Sequence, residues 1–565
     1  MKSNWELYNS STLEIIGEMM KQLHLPRPVA RVLNNRGLTQ KEEVSRFLHS
    51  ETSQLHDPFL MKDMDIAVDR VIKALRDQEN ILIFGDYDVD GITSVSLLYL
   101  FIKDLCGEVS FYIPDRATEG YGISIGGIEQ ARQSDATLII SVDCGITSIA
   151  EVKLANDYGI DVIVSDHHEQ GESLPPAIAV IDPKRVDCAY PFKELAGVGV
   201  AYKLAQGVLQ KLELELKYIE KYIDLVAIGS AADIVPLVDE NRVFVKVGLE
   251  KLNSDGQEGI LTLLETAGYH SNRIDVNHII FGLAPRINAV GRLGKAIPAV
   301  ELIITRDYLK AQHIARLLED ENRRRKQIDS QTLIEALELI SQEYNPANDS
   351  VIVLSNEGWH QGVIGIVASR IIEKYYRPTV MITIENGIGK GSARSIPNFD
   401  LYSALKSCSD ILLQFGGHKY AAGLTIKEEN IPEFKKRFND VTKQMINPDD
   451  LIPKIKIDDE FQLDEISFDI VHQLEELAPF GPKNPKPCFV SYDLEVVGVP
   501  RIVGKNHLKF KVGQNGTVID AIAFNMGDKI QQLKNNRVLD MVYFAEENRW
   551  MDRVALQLRV KDFRC

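Results

Sequence analysis

Asp86, Asp88 and Asp90 follow directly on the apolar run 81–84. Such a run is typical of a strand buried on both faces, and the apolar pattern that resumes at Thr93 is helical. The three carboxylates therefore lie on a strand-to-helix turn, at the edge where open α/β sheets bind ligands. Carboxylates this close repel one another unless a cation lies between them, and hard divalent cations prefer oxygen ligands. The spacing predicts a metal site.

Residues of the same chemical types stand at the ends of other predicted elements. Asp143 and the pair His167 and His168 each follow an apolar run, and Asp233 follows a segment with a helical pattern. A set of carboxylates with one or two imidazoles favours Mn²⁺ or Mg²⁺ over a structural zinc. Taken alone, each residue is more often a helix cap or a turn residue. Together, at the ends of apolar runs in one α/β segment, they predict one metal centre.

The segments that carry these residues alternate between strand and helix patterns. Apolar runs recur between residues 81 and 181 with helical patterns between several of them, which predicts βαβ units and a parallel sheet. Residues 195–305 are mostly helical in pattern, and 306–343 form a long polar helix of the kind that joins domains. A second α/β segment follows. From residue 488 onward, short strands with turn signals predict a small β-barrel.

At 565 residues the chain is too long for one hydrophobic core. We predict an α/β protein of five parts, with the following bounds. They are an N-terminal helical segment at 1–60, a parallel-sheet domain at 61–305, a linker helix at 306–345, a second, smaller α/β domain at 346–455 and a β-barrel domain at 456–565.

Composition restricts the class of protein. The six cysteines include no CxxC pair, the start lacks the pattern of a signal peptide, and no apolar stretch approaches the ~20 residues that span a bilayer. These features predict a cytoplasmic protein. The net charge of −17 argues weakly against nonspecific coating of nucleic acid, but it does not exclude a nuclease because it does not locate the charges.

Three motifs resemble the signatures of the DHH phosphoesterase superfamily. They are Asp86-Tyr-Asp-Val-Asp-Gly91, Val142-Asp-Cys-Gly145 and Asp166-His-His168. The stretch 415–423 resembles the GGH motif of the associated second domain, DHHA1, and the stretches 285–293 and 477–485 are similar to patterns of the RecJ single-strand-specific exonucleases. The resemblance implies a DHH domain, a DHHA1 domain joined to it by the long helix, and a C-terminal barrel of the oligonucleotide-binding (OB) type.

The resemblance implies two metal ions, Mn²⁺ or Mg²⁺. One would be held by Asp90, Asp143, His167 and Asp233, and the other by Asp86, Asp88 and Asp143. Asp86 is either a ligand or a support for its neighbours, because related branches use a histidine there. His168 would face the substrate phosphate. Two cations about 4 Å apart can activate a water and neutralise charge on a phosphodiester, so no nucleophilic side chain is needed, and Cys144 is a small core residue.

Other residues have the types expected to bind nucleic acid. Ser392 and Arg394 lie in a Gly-rich stretch that we expect to be a loop, and they supply the hydroxyl and the bidentate cation of a 5′-phosphate anchor. His418 could join them. Further candidate contacts are Arg116, Arg286, Asn288 and Arg292. For each arginine the alternative is a surface salt bridge.

Two basic stretches have the residue types for DNA contact, but each also has a simpler interpretation. Lys505, His507 and Lys509 share one face of a predicted barrel strand, which suits either a DNA strand or solvent. The run 323–326 follows the acidic residues 319–321 on a helix, so we expect an exposed helix face whose charges pair with one another.

The resemblance implies a 5′→3′ exonuclease that degrades single-stranded DNA to nucleoside 5′-monophosphates in repair and recombination. We expect a cleft with the metals on one wall and the anchor on the other, a monomer, and single-strand-binding protein and a RecQ-type helicase as partners. One alternative is a DHH phosphodiesterase for short oligonucleotides or cyclic dinucleotides, against which the barrel and the 285–293 motif count. The other is an inactive scaffold of a replication complex, which should have lost metal ligands that are present here.

Overall fold

The computed structural model describes residues 3–8, 13–116, 118–269, 273–346, 348–550 and 553–565. The chain divides into two compact units. One comprises Leu7–Leu318 and Lys456–Cys565, and the other comprises Met1–Glu6 and Glu319–Ile455. Within the described part of the chain, no helix is both long enough and apolar enough to cross a membrane.

The first 181 residues hold the N-terminal helices and a parallel sheet. In chain order the elements are β1 (Asn4–Leu7), α1 (Leu13–Leu23), α2 (Arg27–Asn35), α3 (Lys41–Leu48), α4 (Met64–Arg76), β2 (Asn80–Gly85), α5 (Val89–Asp104), β3 (Val109–Tyr112), α6 (Ile125–Gln133), β4 (Ala136–Val142), α7 (Ile149–Asp157), β5 (Asp161–Ser165) and β6 (Ala179–Ile181).

The five strands β2 to β6 form one sheet in the order β3-β2-β4-β5-β6, and every neighbouring pair is parallel, as predicted. The central strand β2 is buried on both faces. Ile81 and Ile83 belong to the apolar layer on one side, and Leu82 and Phe84 belong to the other layer. The strand order reverses between β2 and β4, so the crevice at their carboxyl ends is the topological switch point where such sheets bind ligands.

Helices complete this domain and lead out of it. They are α8 (Gly197–Lys211), α9 (Lys217–Glu220), α10 (Ile223–Ala232), α11 (Asp239–Asp255), α12 (Glu258–Thr266), α13 (Ala284–Leu293), α14 (Ile297–Ile304) and α15 (Tyr308–Glu343). A π-helical segment, His278–Leu283, runs directly into α13. The long helix α15 confirms the predicted linker. On it, Arg323 pairs with Glu319 at 3.0 Å and Arg324 with Glu321 at 3.9 Å, as predicted for an exposed helix face. The prediction is wrong for Arg325, which is buried and donates to Asn322 at 3.0 Å.

The second α/β domain has a mostly antiparallel sheet. Its elements are β7 (Ile352–Asn356), α16 (Gln361–Tyr375), β8 (Thr379–Glu385), β9 (Ile388–Arg394), α17 (Leu401–Lys406), β10 (Leu412–Gly417), β11 (Ala421–Lys427) and α18 (Ile431–Met445). The sheet order is β10-β11-β9-β8-β7, and only β7 and β8 run parallel among the described strand pairs.

The expectation of a Gly-rich loop at Ser392 and Arg394 is wrong, because both residues lie on the interior strand β9. The glycines serve close packing instead. A Cβ on Gly389 would lie 2.8 Å from the Ile382 side chain, and one on Gly391 would lie 2.8 Å from the Leu424 side chain. A stretch of alternate glycines therefore forms a strand where neighbouring strands carry bulky side chains.

The last part of the chain contains a closed five-stranded barrel and the elements that lead into it, of which the first strand pairs with β1 instead. The elements are β12 (Lys454–Ile457), β13 (Asp459–Glu460), α19 (Phe468–Glu475), β14 (Phe489–Val503), β15 (His507–Gln514), β16 (Thr517–Ala523), α20 (Ile530–Asn535), β17 (Val538–Trp550) and β18 (Arg553–Arg564). The order β14-β15-β16-β18-β17 closes through a β14–β17 pairing, which confirms the predicted barrel.

One detail of the predicted barrel face is wrong. Lys505 lies in the turn before β15, next to Gly504 at φ +59°, and therefore does not share the strand's alternation. Within β15, Phe510 points into the core, so the outward face carries His507, Lys509 and Lys511.

The N-terminal helices belong to the core of this barrel. Apolar residues of α1 to α3, among them Met19, Leu33 and Val44, are part of one buried cluster with barrel residues such as Phe510. Arg36 also forms a buried ion pair with Asp458 at 2.9 Å. The first and last parts of the chain are therefore packed as one body.

Candidate metal centre

The turn from β2 to α5 is held in shape by one of its own aspartates. Asp88 is the N-cap of α5, and its Oδ1 accepts hydrogen bonds from the main-chain N–H of Asp90 at 2.9 Å and of Gly91 at 3.2 Å. A Cβ on Gly91 would collide with the main chain of Asp86. The cap and the glycine together fold the turn tightly enough to bring its carboxylates to one side.

The N-terminus of α8 positions two further carboxylates. Asp90 is buried, and its two oxygens accept hydrogen bonds from the N–H groups of Gly197 at 2.7 Å and Val198 at 2.9 Å. These are among the unpaired donors that begin every helix, where a negative charge is favourable. A Cβ on Gly197 would lie 2.8 Å from the Cβ of Asp143. Glycine at this position therefore lets Asp90 and Asp143 approach each other.

His167 presents one nitrogen to the carboxylates. Its Nδ1 donates to the main-chain oxygen of Leu195 at 3.0 Å, so Nε2 carries no proton and has a free lone pair. Burial and the neighbouring charge of His168 lower the pKa of His167 to about 3, so the ring is neutral. Its Nε2 lies 3.1 Å from Asp143 Oδ1 and 3.8 Å from the Oδ2 atoms of both Asp90 and Asp233. An unprotonated nitrogen that faces carboxylates suits a cation bound between them.

Atoms that could bind a metal fall into two groups, which match the two predicted ligand sets except that Asp143 is absent from the first. In each group the atoms lie within 4.8 Å of one another, and the groups are Asp90, His167 and Asp233, and Asp86, Asp88 and Asp143. A third overlapping group joins Asp143 to His167 and His168. Asp143 thus belongs to the second group and also lies beside the nitrogen of the first.

The electrostatics of these carboxylates fit a pair of bound cations. Burial, together with the charge of neighbouring aspartates, raises the pKa values of Asp86, Asp90 and Asp143 well above the usual range and raises that of Asp233 to about 7. In addition, Asp86 Oδ1 is buried and has no hydrogen-bond partner among the described residues. Oxygen donors that repel one another in this way suit Mn²⁺ or Mg²⁺.

His168 is oriented by Asp166 rather than by the ligand groups. Its Nδ1 donates to Asp166 Oδ1 at 2.7 Å, and Asp166 also accepts from the N–H of Ile146 at 2.9 Å. Burial opposes protonation, but the hydrogen bond and the charge of Asp166 raise the pKa of His168 to about 9. His168 is therefore a half-buried cation beside the two ligand groups.

Two of the predicted arginines converge on Tyr87, inside the aspartate turn. The guanidinium of Arg116 lies 5.1 Å from the centre of the Tyr87 ring. The positive charges of Arg116 and Arg292 both oppose the rise in the pKa of Tyr87, which burial drives to about 12. Asn288 and Arg292 are half-buried and one helical turn apart on α13. By contrast, Arg286 is buried and donates to the main-chain oxygen of Gly282 at 2.6 Å.

The anchor residues lie in the other compact unit. Arg394 donates from Nη1 to Ser392 Oγ at 3.1 Å, and a Cβ on Gly365 would lie 2.8 Å from both side chains. Gly365 is in the second turn of α16, so the pair lies against the beginning of that helix. His418 is exposed and donates its N–H to Ala421, the residue that pairs with Arg394 on the adjacent strand. The sheet therefore brings these three residues into one neighbourhood.

One cation near the centre was missed by the sequence analysis. Lys184 is half-buried just beyond β6, and its charge acts on the pKa values of His167, His168 and Asp233. A signal for it exists, since Asp182-Pro-Lys184 follows a strand of the same parallel sheet and so emerges at the same edge. Burial raises the pKa of Asp182 to about 8.

Three family models match the chain. They are the DHH family N-terminal domain over residues 80–230, the DHHA1 domain over residues 348–444 and the RecJ OB domain over residues 457–562.

Named relatives match nearly the whole chain. The chain is similar to the single-stranded-DNA-specific exonuclease RecJ of Bacillus subtilis, with 38% identity over 99% of this chain and 71% of that protein. It also resembles two crystal structures of RecJ from Thermus thermophilus. The structure in complex with Mn²⁺ matches with a TM-score of 0.85 at 29% identity, over 100% of this chain and 79% of the other. The structure in complex with Mg²⁺ matches with a TM-score of 0.79 at 28% identity, over 100% and 78%.

Proposed function

Because the chain belongs to the RecJ family of single-stranded-DNA-specific exonucleases, we propose that it hydrolyses single-stranded DNA from the 5′ end and releases nucleoside 5′-monophosphates. The observation that carries this proposal is the pair of ligand groups at the switch point of the parallel sheet. The match to the RecJ OB domain favours a DNA strand over short oligonucleotides or cyclic dinucleotides as substrate. The complete set of carboxylates favours an active enzyme over an inactive scaffold.

We assign the two metal ions to Asp90, Asp143, His167 and Asp233, and to Asp86, Asp88 and Asp143. Mn²⁺ and Mg²⁺ are the ions in the two Thermus structures and suit this donor set. When bound, two such ions supply an activated water and neutralise charge on the phosphodiester that is cut. Asp143 would be shared between them.

The protein's own groups bind and orient the phosphodiester. His168, held by Asp166, donates a hydrogen bond to a phosphate oxygen and adds a positive charge. Arg116 and Arg292 supply cations on the Tyr87 side of the centre, and Asn288 adds a hydrogen-bond donor there. Arg286 acts from its buried position by holding the π-helical segment that leads into α13.

The 5′ end is bound by the second α/β domain. Ser392 and Arg394 present a hydroxyl and a guanidinium side by side against α16, which suits a terminal phosphate, and His418 adds a donor nearby. Such an anchor makes the enzyme start at a 5′ terminus. We further propose a cytoplasmic, monomeric enzyme of DNA repair and recombination that works with single-strand-binding protein and a RecQ-type helicase.

The test is cleavage of one oligonucleotide carrying a label at either end, with Mn²⁺ or Mg²⁺. We expect mononucleotides to appear from the 5′ label first and duplex DNA, RNA and a cyclic dinucleotide to be poor substrates. Asp143→Asn should lower the rate about 1,000-fold, because it removes the carboxylate that is proposed to bind both ions.

The matched control is Asp157→Asn, an exposed aspartate at the end of α7. It should leave both the rate and the binding of Mn²⁺, followed by electron paramagnetic resonance, unchanged. Full activity of Asp143→Asn would refute the shared-ligand assignment, and release from the 3′ end first would reverse the proposed direction.

A further inference from the structure

The loop between β3 and α6, residues 113–124, is described except at position 117, and two of its side chains meet the metal centre from different directions. Arg116 lies over Tyr87, and the hydroxyl of Tyr121 donates to the main-chain oxygen of Asp143 at 3.1 Å. The same hydroxyl lies 3.0 Å from Nδ1 of His168, and the two rings meet edge to face with their centres 5.6 Å apart. The loop is thus in contact with both the shared ligand and the phosphate-facing histidine.

The contact of Tyr121 has a defined polarity. A carbonyl oxygen can only accept a hydrogen bond, so the phenolic proton points to Asp143 and an oxygen lone pair points to the His168 ring. Because the Nδ1–H of His168 is donated to Asp166 at 2.7 Å, the Tyr121 oxygen lies against the edge of the ring, and this contact helps to fix the direction in which Nε2–H points. Tyr121 is nevertheless 51% exposed as a residue, so part of its ring is accessible to a nucleotide base, and aromatic rings stack on bases of any sequence.

The carboxylate of Glu119 connects the two ends of this loop by hydrogen bonds. Glu119 Oε1 accepts from the N–H of Asp115 at 2.8 Å, and Oε2 accepts from the hydroxyls of Tyr112 at 2.9 Å and Ser124 at 2.5 Å. The N–H of Glu119 in turn donates to the Asp115 oxygen at 2.8 Å. Ser124 is also the N-cap of α6. Glu119 therefore joins the end of β3, the start of α6 and the middle of the loop.

The backbone on both sides of Tyr121 depends on glycine. Gly120 has φ +84° and Gly122 has φ +95°, conformations that other residues rarely adopt. Between two such residues, the direction of the Tyr121 side chain is set by the loop as a whole and not by a regular element. Hydrogen bonds within the loop and to its two ends must therefore fix the position of Tyr121.

We propose that Glu119 is a positioning residue for DNA hydrolysis, because it holds the 113–124 loop in place. In this position of the loop, Tyr121 orients His168 and stacks on the nucleotide at the metal centre. Arg116 then lies over Tyr87 on the other side of the centre. This inference rests on the proposed function and adds to it a device for placing the substrate. Glu119 itself touches neither the ligand groups nor the DNA.

The test is a double-mutant cycle on single-stranded DNA. Tyr121→Phe keeps the stacking surface and loses the hydroxyl, so kcat should fall about 10-fold with KM unchanged. Glu119→Ala should lower kcat by about 10- to 30-fold and also raise KM, because Arg116 and Tyr121 are both released. Since Glu119 acts through Tyr121, the double variant should lose no more than about 30-fold, not the product of the two effects.

Three further measurements separate positioning from a general loss of structure. Mn²⁺ binding of Glu119→Ala should match the wild type, its unfolding should stay cooperative at a moderately lower temperature, and Glu119→Gln, which retains a carbonyl acceptor, should recover part of kcat. The control is Glu129→Ala, which removes an exposed ion pair with Arg132 from α6 and should change neither constant. Multiplicative effects in the cycle, or wild-type kinetics of Glu119→Ala, would overturn the inference. Wild-type protein without activity on single-stranded DNA would instead overturn the proposed function.

Discussion

His167 shows how a single side chain obtains its role from its surroundings. Its type and its place after a strand are visible in the sequence, because residues that follow parallel strands emerge at one edge of the sheet. Its tautomer is not visible there. The proton is held on Nδ1 by the carbonyl of Leu195, 28 residues away, and the neutral state follows from burial. Both are products of packing, which no local pattern encodes.

At the scale of single residues, the clearest prediction concerns Asp88, which is both a proposed metal ligand and the N-cap of α5. Asparagine caps helices about as well as aspartate does, whereas alanine costs ~1 kcal/mol of stability. Asp88→Asn should therefore abolish one Mn²⁺ site and most of the activity while the unfolding temperature stays unchanged. Asp88→Ala should lose the same functions and unfold at a lower temperature.

Calorimetric titration with Mn²⁺ and thermal unfolding of the metal-free protein check this prediction. If Asp88→Asn bound two equivalents of Mn²⁺ as tightly as the wild type, Asp88 would be a cap and not a ligand.

At the scale of elements, α8 assembles the centre. Its first N–H groups bind Asp90, which is 107 residues earlier in the chain, and its first residue lies against Asp143. The helical pattern of this region was predictable. The contact between the N-terminus of α8 and the turn after β2 was not predictable, because it depends on how the helices pack on the sheet. For the strand β9 the local pattern was misleading. Its alternate glycines predict a loop, and only the side chains of the neighbouring strands explain why they form a strand.

A pair of glycines on α8 tests this arrangement. A Cβ on Gly197 would lie 2.9 Å from Asp143 Oδ1, whereas one on Gly199 would come no closer than 3.2 Å to the Leu195 side chain. Gly197→Ala should displace Asp143 and lower kcat about 100-fold, since small misplacements at a catalytic centre have effects of that size. Gly199→Ala should keep activity near that of the wild type.

The measurement is the initial rate of mononucleotide release, with Mn²⁺ affinity determined in parallel. Equal rates for the two variants would show that the start of α8 does not control the position of Asp143.

At the scale of the whole molecule, the ends of the chain are joined to the parallel-sheet domain by a buried arginine. Arg242 on α11 donates to the main-chain oxygens of Leu477 at 3.0 Å, Ala478 at 2.9 Å and Phe47 at 2.8 Å, and its guanidinium lies 3.5 Å from the centre of the Phe47 ring. Phe47 lies on α3, and the other two residues precede the barrel strands. One side chain thus connects three separate parts of the sequence.

Arg242→Ala should be strongly destabilising, because it removes three hydrogen bonds of a buried side chain and the packing of the guanidinium on Phe47, at a cost of roughly 3–5 kcal/mol. We expect a lower temperature for the first unfolding transition and faster cleavage by trypsin after Lys483, which follows this segment. The control is Arg306→Ala, whose side chain is 82% exposed. Unfolding of Arg242→Ala at the wild-type temperature would contradict this role.

The sequence by itself determined the parallel sheet, the long helix, the closed barrel and the types of residue at the centre, because these follow from local periodicity and from the rule that parallel strands present their ends at one edge. Tertiary structure alone decided the protonation of His167 and His168, the meeting of α8 with Asp90 and the common core of α1–α3 and the barrel. It also decided the closure of the 113–124 loop by Glu119. Each of these depends on contacts between distant residues, whose energies appear only after the chain has packed.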